Sequence, residues 1–359
     1  MFLSLFKKPP ALVSLALRVV VATLQHGLAP ARLAILCILF TLNATAEDKK
    51  TLTIYTYDSF TSKWGPGPKV KEAFEKDCNC NLKFVALEDG VSLLSRLKLE
   101  GKYTKADIVL GLDTNLTADA YKTGLFAPHG MKMKNSSLPS EWKNGTFLPY
   151  DFGYFAFIYD KTKFAHPPKS LKELVESKDA PKILIQDPRT STPGLGLLLW
   201  VKKVYGDKAD EAWEKLSPRI VTVSKGWSEA YGLFLKDEAP MVLSYTTSPA
   251  YHIIAEEKDN FAAAKFEEGH YQQIEVAGMI ASSKNKALAK QFLSFMQGDK
   301  FQSIIPTNNW MFPAFLPADK LPEAFKTLID PTPALLFDEG EVAKNRKAWV
   351  KEWLNALAK

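Results

Sequence analysis

An α/β fold of two lobes is what this sequence predicts, and three observations carry the prediction. At 359 residues the chain exceeds one simple hydrophobic core, so two domains or lobes are expected. From residue 52 to residue 110, β-rich runs alternate with helical ones. That is the β-α-β-α-β order of a mostly parallel sheet flanked by helices. Residues 149–159 then form a long apolar, aromatic run that reads as a strand crossing from the first sheet into a second lobe. On this reading residues 47–150 begin lobe 1, 151–274 form lobe 2, and 275–359 return to complete lobe 1.

Residues 1–46 differ in kind from the rest. They carry Lys7, Lys8, Arg18 and Arg32 and no acid, and an apolar run over 33–40 ends near Ala44-Thr45-Ala46, a small-x-small cleavage site. This is the pattern of a secretory signal peptide with an unusually long lead, which directs the protein to export. The apolar run is too short to span a membrane; an uncleaved anchor is the alternative. Leu36 is too bulky for the small residue that a lipoprotein signal places before its cysteine, so Cys37 is not read as a lipid anchor. Without the four cations of this segment, 42 basic residues stand against 40 acidic ones, a net of +2. Nucleic acid is therefore a poor partner. Past the leader only Cys78 and Cys80 remain. Export permits oxidation, and a tight disulfide across Asn79 is expected. As a metal site the pair lacks the second cysteine pair or histidine cluster that zinc uses.

Taken in order, residues 52–57 alternate and are β-rich, the first strand. Asp58-Ser59-Phe60 and Trp64-Gly65-Pro66-Gly67-Pro68 follow, then a helix over 69–76 with Val70, Ala73 and Phe74 on one face. Residues 82–87 are a strand cut by Glu88-Asp89-Gly90, a helix begins at Val91, and 106–110 form a third strand with Asp113 just past its end. Ligands of such sheets sit beyond the carboxyl ends of the strands, where Tyr57, Asp89, Gly90 and Asp113 fall. In the second lobe, 171–175 is a short helix and 183–186 a strand that runs into Thr190-Ser191-Thr192-Pro193-Gly194. Residues 220–223 lead into Gly226-Trp227-Ser228 and a helix through Tyr231 and Phe234. Residues 242–245 read as a buried strand that ends in Thr246-Thr247-Ser248, with Pro249 at the first position of a helix. The return crossing is 274–280, and Ser282 or Ser283 caps the helix that carries Leu288, Phe292 and Phe295. A loop over 305–313 holds Trp310. The last helix, from about Glu341, aligns Val342, Trp349, Val350, Trp353 and Leu357 as a core stripe.

Three of these junctions share a chemistry: Asp89-Gly90-Val91-Ser92, Ser191-Thr192-Pro193-Gly194 and Thr246-Thr247-Ser248-Pro249. Each is a strand end turning into a helix start, where free N–H groups and the helix dipole favour an anion. Gly90 and Gly194 allow close backbone approach. Any one of them alone is equally an ordinary capped helix start; convergence from two lobes is what would make them a site. Trp64, Trp227, Tyr245, Tyr251 and Trp310 stand in loops or at element ends, and such faces hold a cationic ring by stacking. Trp227 and Tyr251 are the leading pair, with surface sealing as their alternative role.

Two other chemistries fit less well. Gly226-Trp227-Ser228-Glu229-Ala230 approaches a nucleophile elbow, and a secreted α/β hydrolase would use Ser228 with Asp237 and His252 or His270. The Ser-Asp-His order is that of hydrolases, but Ala230 replaces the second glycine and neither histidine has a recognised spacing. An iron site would want adjacent tyrosines, where this chain has Tyr245-Thr246.

Long stretches of the chain resemble one family. They are Tyr55-Thr56-Tyr57-Asp58-Ser59-Phe60 with Trp64-Gly65-Pro66-Gly67-Pro68, the run 86–94, the run 186–199, Lys225-Gly226-Trp227-Ser228-Glu229-Ala230-Tyr231-Gly232, and 243–251. Over residues 51–353 the chain resembles the periplasmic thiamine-binding proteins of bacterial thiamine ABC importers. The resemblance implies a periplasmic-binding-protein type II fold, two α/β lobes joined by crossing strands, with no catalysis and no cofactor. It implies thiamine, thiamine monophosphate and thiamine diphosphate as ligands, and an inner-membrane ABC permease with its ATPase subunit as partner. Carried over by motif, Asp89 and Gly90 line the phosphate side, as do Ser191 and Thr192 from the opposite lobe. Trp227 faces the aminopyrimidine with Tyr251 stacking there. Tyr245, Thr246, Thr247 and Ser248 flank the thiazolium and phosphate, and Tyr57, Trp64 and Trp310 contribute further contacts. Asp89 and Asp113 are the carboxylates expected to balance the cation.

Overall fold

Three parallel strands begin the fold. β1 (Thr51–Tyr57) pairs along its whole length with β2 (Asn81–Leu87) and, on its other edge, with β3 (Ile108–Asp113). The connections are helical: α1 (Asp58–Thr61) and α2 (Gly67–Cys78), then α3 (Gly90–Glu100), with α4 (Thr114–Tyr121) after β3. Every residue of β3 is buried, as expected for a parallel strand covered on both faces. The structure is a computed structural model and describes residues 49–359; the expected signal peptide lies outside the described residues. Cys78 and Cys80 are joined as a disulfide around Asn79, which ends α2 in the left-handed region at φ 49°.

After the short β4 (Phe126–Ala127) comes β5 (Phe147–Asp160), fourteen residues that link two sheet halves. Its beginning, Phe147 to Tyr154, pairs with the later β10 (His270–Ile280), which in turn lies against β3. Its end, Phe155 to Tyr159, pairs with β8 (Met241–Tyr245). Beyond β8 lie β6 (Ile183–Gln186) and β7 (Ile220–Ser224), parallel to it and to each other. The main path of the sheet runs β2-β1-β3-β10-β5-β8-β6-β7, with four shorter strands pairing with β5 or β10 off that path. Each end is thus parallel, as the alternation predicts, and the antiparallel β5–β10 pair is the crossing.

In the second half, α5 (Leu171–Glu176), α6 (Thr192–Tyr205), α7 (Ala209–Leu216), α8 (Trp227–Phe234) and α9 (Ser248–Ala255) flank the sheet. Helix α6 is buried from Thr192 to Val201. Its Gly196 packs so close to β5 that an added Cβ would stand 2.0 Å from the Phe155 ring. The chain then returns through β9 (Phe261–Ala263) and β10 to α10 (Lys286–Met296) and α11 (Asp299–Gln302). Short strands β11 (Phe312–Pro313) and β12 (Ala334–Leu335) precede α12 (Glu339–Leu357).

Several boundaries differ from expectation for local reasons. Asp113 ends β3 instead of following it, because β10 pairs with it there. Helix α10 starts after Asn285; Ser283 instead donates to Asp107 Oδ1 and accepts from the Asn285 N–H. Residues 305–309 form a π-helical turn where a loop was expected. Helix α12 starts two residues early because the Asp338 carboxylate accepts from Gly340 N and Glu341 N. Its stripe is core: Trp353 is buried and meets Trp213 of α7 edge to face, with centroids 6.4 Å apart. Trp353→Ala removes this contact and should lower unfolding free energy by about 3–5 kcal/mol, read as a shifted urea midpoint.

Candidate ligand-binding cleft

The carboxyl ends of β1, β2, β6, β7 and β8 point at one another. There the chain encloses a cavity of about 240 Å³, the space of a small organic molecule and far more than the ~30 Å³ share of one water. Its wall is aromatic. Tyr57, Trp64 and Trp310 come from the first half and Trp227, Tyr231, Tyr245 and Tyr251 from the second. Asp89 and Glu275 supply carboxyl groups, and no Lys or Arg among the described residues lines it.

The second half holds its rings rigidly. One face of Trp227 stacks on Tyr231, with centroids 4.9 Å apart at 26°, and the indole N–H donates to Ser244 Oγ at 2.7 Å. Ser244 in turn shares a hydrogen bond with Ser248 Oγ. The other partners of this region cross between halves. Trp64 tilts over Trp227 at 6.0 Å while remaining 45% exposed, and Tyr251 meets Trp310 edge to face at 5.1 Å. Trp310 sits in the left-handed region at φ 59°, at the end of the π turn, and its buried indole N–H has no partner. Trp227 and Tyr251 therefore line the same cavity from separate anchors and are not themselves a stacked pair.

The three helix starts border the same cavity, but several of their donors are already used. Gly90 N–H donates to Thr192 Oγ1 at 3.1 Å and Ser92 N–H to the Thr190 carbonyl, also at 3.1 Å. The Asp89 carboxylate accepts from Ser191 Oγ at 2.7 Å and from Trp227 N–H at 3.2 Å. Capping does not explain these hydroxyls, since neither Ser191 nor Thr247 caps its own helix through its side chain. The small size of Gly90 and Gly194 serves protein packing. A Cβ on Gly90 would meet the Gly111 carbonyl and Thr192, and one on Gly194 the Gln186 backbone. Gly90, Ser191, Thr192, Thr246 and Thr247 are buried just behind the cavity, while Asp89, Tyr245 and Ser248 reach it.

Residue types alone pointed to the wrong second acid. Asp113 is buried behind the wall, bound by Asn115 Nδ2 at 2.8 Å. Glu275 occupies the cavity floor instead, accepting from Tyr57 OH at 2.9 Å and Tyr150 OH at 2.6 Å. A register shift between Glu275 and Val276 in the β10–β5 ladder aims it there, the usual work of a bulge beside a site. Sequence reasoning also missed Asn309, Met311 and Tyr231. A lone acid in the apolar run 274–280 was the available signal.

No hydrolase triad assembles. Ser228 Oγ donates to Asp58 Oδ1 at 3.0 Å. His252 is engaged by Tyr231 and Glu256, buried His270 by the Phe155 carbonyl, and Asp237 by Lys163. Among the described residues no group of three or more His, Cys, Asp or Glu is arranged to hold a metal ion.

Known proteins share this arrangement. Residues 66–303 match the bacterial extracellular solute-binding proteins. The chain is 60% identical over 317 residues to the thiamine-binding periplasmic protein of Salmonella typhimurium, covering 88% of this chain and 96% of that one. Against the protein of the same name from Escherichia coli K12 it is 59% identical over 322 residues, covering 90% and 98%. The chain belongs to the periplasmic thiamine-binding branch of the bacterial extracellular solute-binding proteins. A solved periplasmic thiamin-binding protein superposes with a TM-score of 0.85 at 60% identity, over 88% of this chain and 98% of that one. The ferric-binding protein of Campylobacter jejuni, 20% identical with a TM-score of 0.68 over 85% and 99%, shares the fold alone. The type II periplasmic-binding fold and the periplasmic location expected from the sequence accord with this membership, and these relatives are named for binding thiamine.

Burial sets the charge state of this binding-protein cleft. It pushes the Asp89 carboxyl up to about 8 and Asp113 to about 7 from an ordinary 3.8, against the hydrogen bonds that favour ionisation. Both folded values exceed the unfolded ones, so between about pH 4 and 8 the folded chain holds protons that the unfolded chain has lost. Raising the pH from about 5 to 8 should therefore lower the melting temperature of the ligand-free protein by roughly 5 °C, and Asp113→Asn should flatten that slope in calorimetric scans.

Proposed function

We propose that the protein is the periplasmic solute-binding component of a thiamine ABC importer. It captures thiamine, thiamine monophosphate and thiamine diphosphate in this cleft and delivers them to an inner-membrane permease driven by a separate ATPase subunit. One observation carries the reading: a cavity walled by indoles and phenols, with two carboxyl groups and no base, in a chain about 60% identical to proteins named for thiamine binding. Aromatic faces and carboxylates together are what a flat cation requires.

The roles follow from the anchors. Trp227, backed by Tyr231, offers its free face to the aminopyrimidine, with Tyr251 opposite and Trp64 and Trp310 closing the edges. Tyr57, Tyr245 and the residues Thr246, Thr247 and Ser248 border the thiazolium. Asp89, Gly90, Ser191 and Thr192 receive the phosphate tail. A phosphate that displaced the Asp89 carboxyl would find Ser191 Oγ–H and Trp227 N–H as ready donors at two helix starts. Closure bends the crossing strands β5 and β10.

Trp227→Ala should weaken all three ligands alike, by about 1–3 kcal/mol for a lost stacking partner. Ser191→Ala should weaken the phosphorylated forms selectively, by roughly 1 kcal/mol or more. Titration calorimetry with the three ligands checks both, and equal losses for all three on Ser191→Ala would remove the phosphate assignment.

A further inference from the structure

Three carboxyl groups lie in one row across three neighbouring strands beneath the cleft. In the ladder Glu275 of β10 stands opposite Asp113 of β3 on one side and opposite Asp151 of β5 on the other. Like charges directly opposed in a sheet repel, and all three residues are buried. Asp113 Oδ1 and Asp151 Oδ1 meet no donor. Opposed in the ladder, buried, and in no salt bridge among the described residues, the Asp151 and Glu275 carboxyl groups cannot both stay ionised, so the pair holds a proton. The remaining lone pairs are met by neutral groups: Asn309 Nδ2 on Asp151 at 2.6 Å, Gln273 Nε2 on Glu275 at 3.0 Å, and the Tyr57 and Tyr150 hydroxyls.

We propose that this row is a proton reservoir, and that a cationic ring captured beside Glu275 drives one proton from the Glu275–Asp151 pair to solvent. The proposal rests on the thiamine reading above and deepens it: the ligand's positive charge replaces a proton, so the cleft floor keeps a constant charge. In the step a carboxylic O–H dissociates, the proton passes to buffer, and the carboxylate left behind pairs with the cation. The titratable groups facing the pair are acids from every side: Tyr57 from β1, Tyr150 from β5, Tyr245 from β8, Asp113 from β3 and, across the cleft, Asp89. Arg346 of α12 bears on Asp113. Burial raises both members of the pair, and the Glu275 charge raises Asp151 further.

The test is calorimetry of the mature protein with thiamine near pH 7, in buffers of different ionisation enthalpy. 3-Deazathiamine, whose neutral thiophene replaces the thiazolium, is the uncharged control. The observed enthalpy should vary with buffer to the extent of roughly 0.5–1 proton released per thiamine, and hardly at all for the neutral analogue. Asp151→Asn should remove at least about half of that dependence while thiamine still quenches tryptophan fluorescence. Glu275→Gln should weaken thiamine about tenfold or more and the neutral analogue less than about threefold. A buffer-independent enthalpy in the wild type, an equal dependence with the neutral analogue, or full dependence retained in Asp151→Asn overturns the reservoir. Absence of both heat and quenching with thiamine would instead overturn the functional reading on which it rests.

Discussion

Strand β5 serves two sheets without a break, and the rest of the molecule is arranged around that fact. Its first half is hydrogen-bonded to β10 and its second to β8, so the two parallel sets are one continuous surface with an antiparallel seam. A seam made of backbone hydrogen bonds satisfies most of its polar groups internally. The bulge at Glu275 and Val276 interrupts the ladder where the floor of the cleft lies. One irregularity thus does two things: it loosens the crossing and turns a carboxyl group into the cavity.

The cleft walls meet through hydrogen bonds that span the halves. Gly90 to Thr192, Ser92 to Thr190, Asp89 to Ser191 and Trp227, and Asp58 to Ser228 all join a residue preceding β5 to one following it. Most are single bonds between neutral or partly exposed groups, each worth about 1 kcal/mol net. Contacts of this strength are each within range of what a competing polar ligand group could replace. Asp89 is the telling member. Its carboxyl group sits where two helix starts gather donors, and burial keeps a proton within reach.

Most of the architecture was legible because the periodicities are clean. Strands β2, β6 and β8 and helix α5 fall within a residue of the runs that sequence patterning picks out. The convergence of the Asp89, Ser191 and Thr246 junctions was legible as a shared chemistry, and the aromatics at element ends as exceptions to core placement. What stayed hidden depends on pairing between distant segments. Occupation of the Gly90 and Trp227 N–H groups needs Thr192 and Asp89 to be neighbours, and neither sequence distance nor propensity encodes that. That Glu275 lines the cavity while Asp113 lies behind it stayed hidden for the same reason. Strand ends mark the rim of a parallel sheet, but a bulge in an antiparallel crossing strand decides which acid reaches the cavity. Trp310 was placed in an ordinary loop because a π turn has no sequence signature of its own.

The absence of Lys and Arg from the cavity wall constrains what kind of recognition operates there. A fixed guanidinium would bind a phosphate tail strongly and penalise a ligand that is only a cation, since its own charge cannot be withdrawn. Hydroxyls, backbone amides and protonatable carboxyls carry no such commitment. A carboxyl near neutrality at physiological pH presents an anion to a positive ring and a neutral acid to a negative tail. Burial of Asp89, Asp113, Asp151 and Glu275 is costly in the ligand-free state, yet it is what places their protonation within range of a ligand's charge. The same low-dielectric setting that raises these acids strengthens their attraction to a bound cation. The two properties come from one cause and cannot be separated by substitution at a single site.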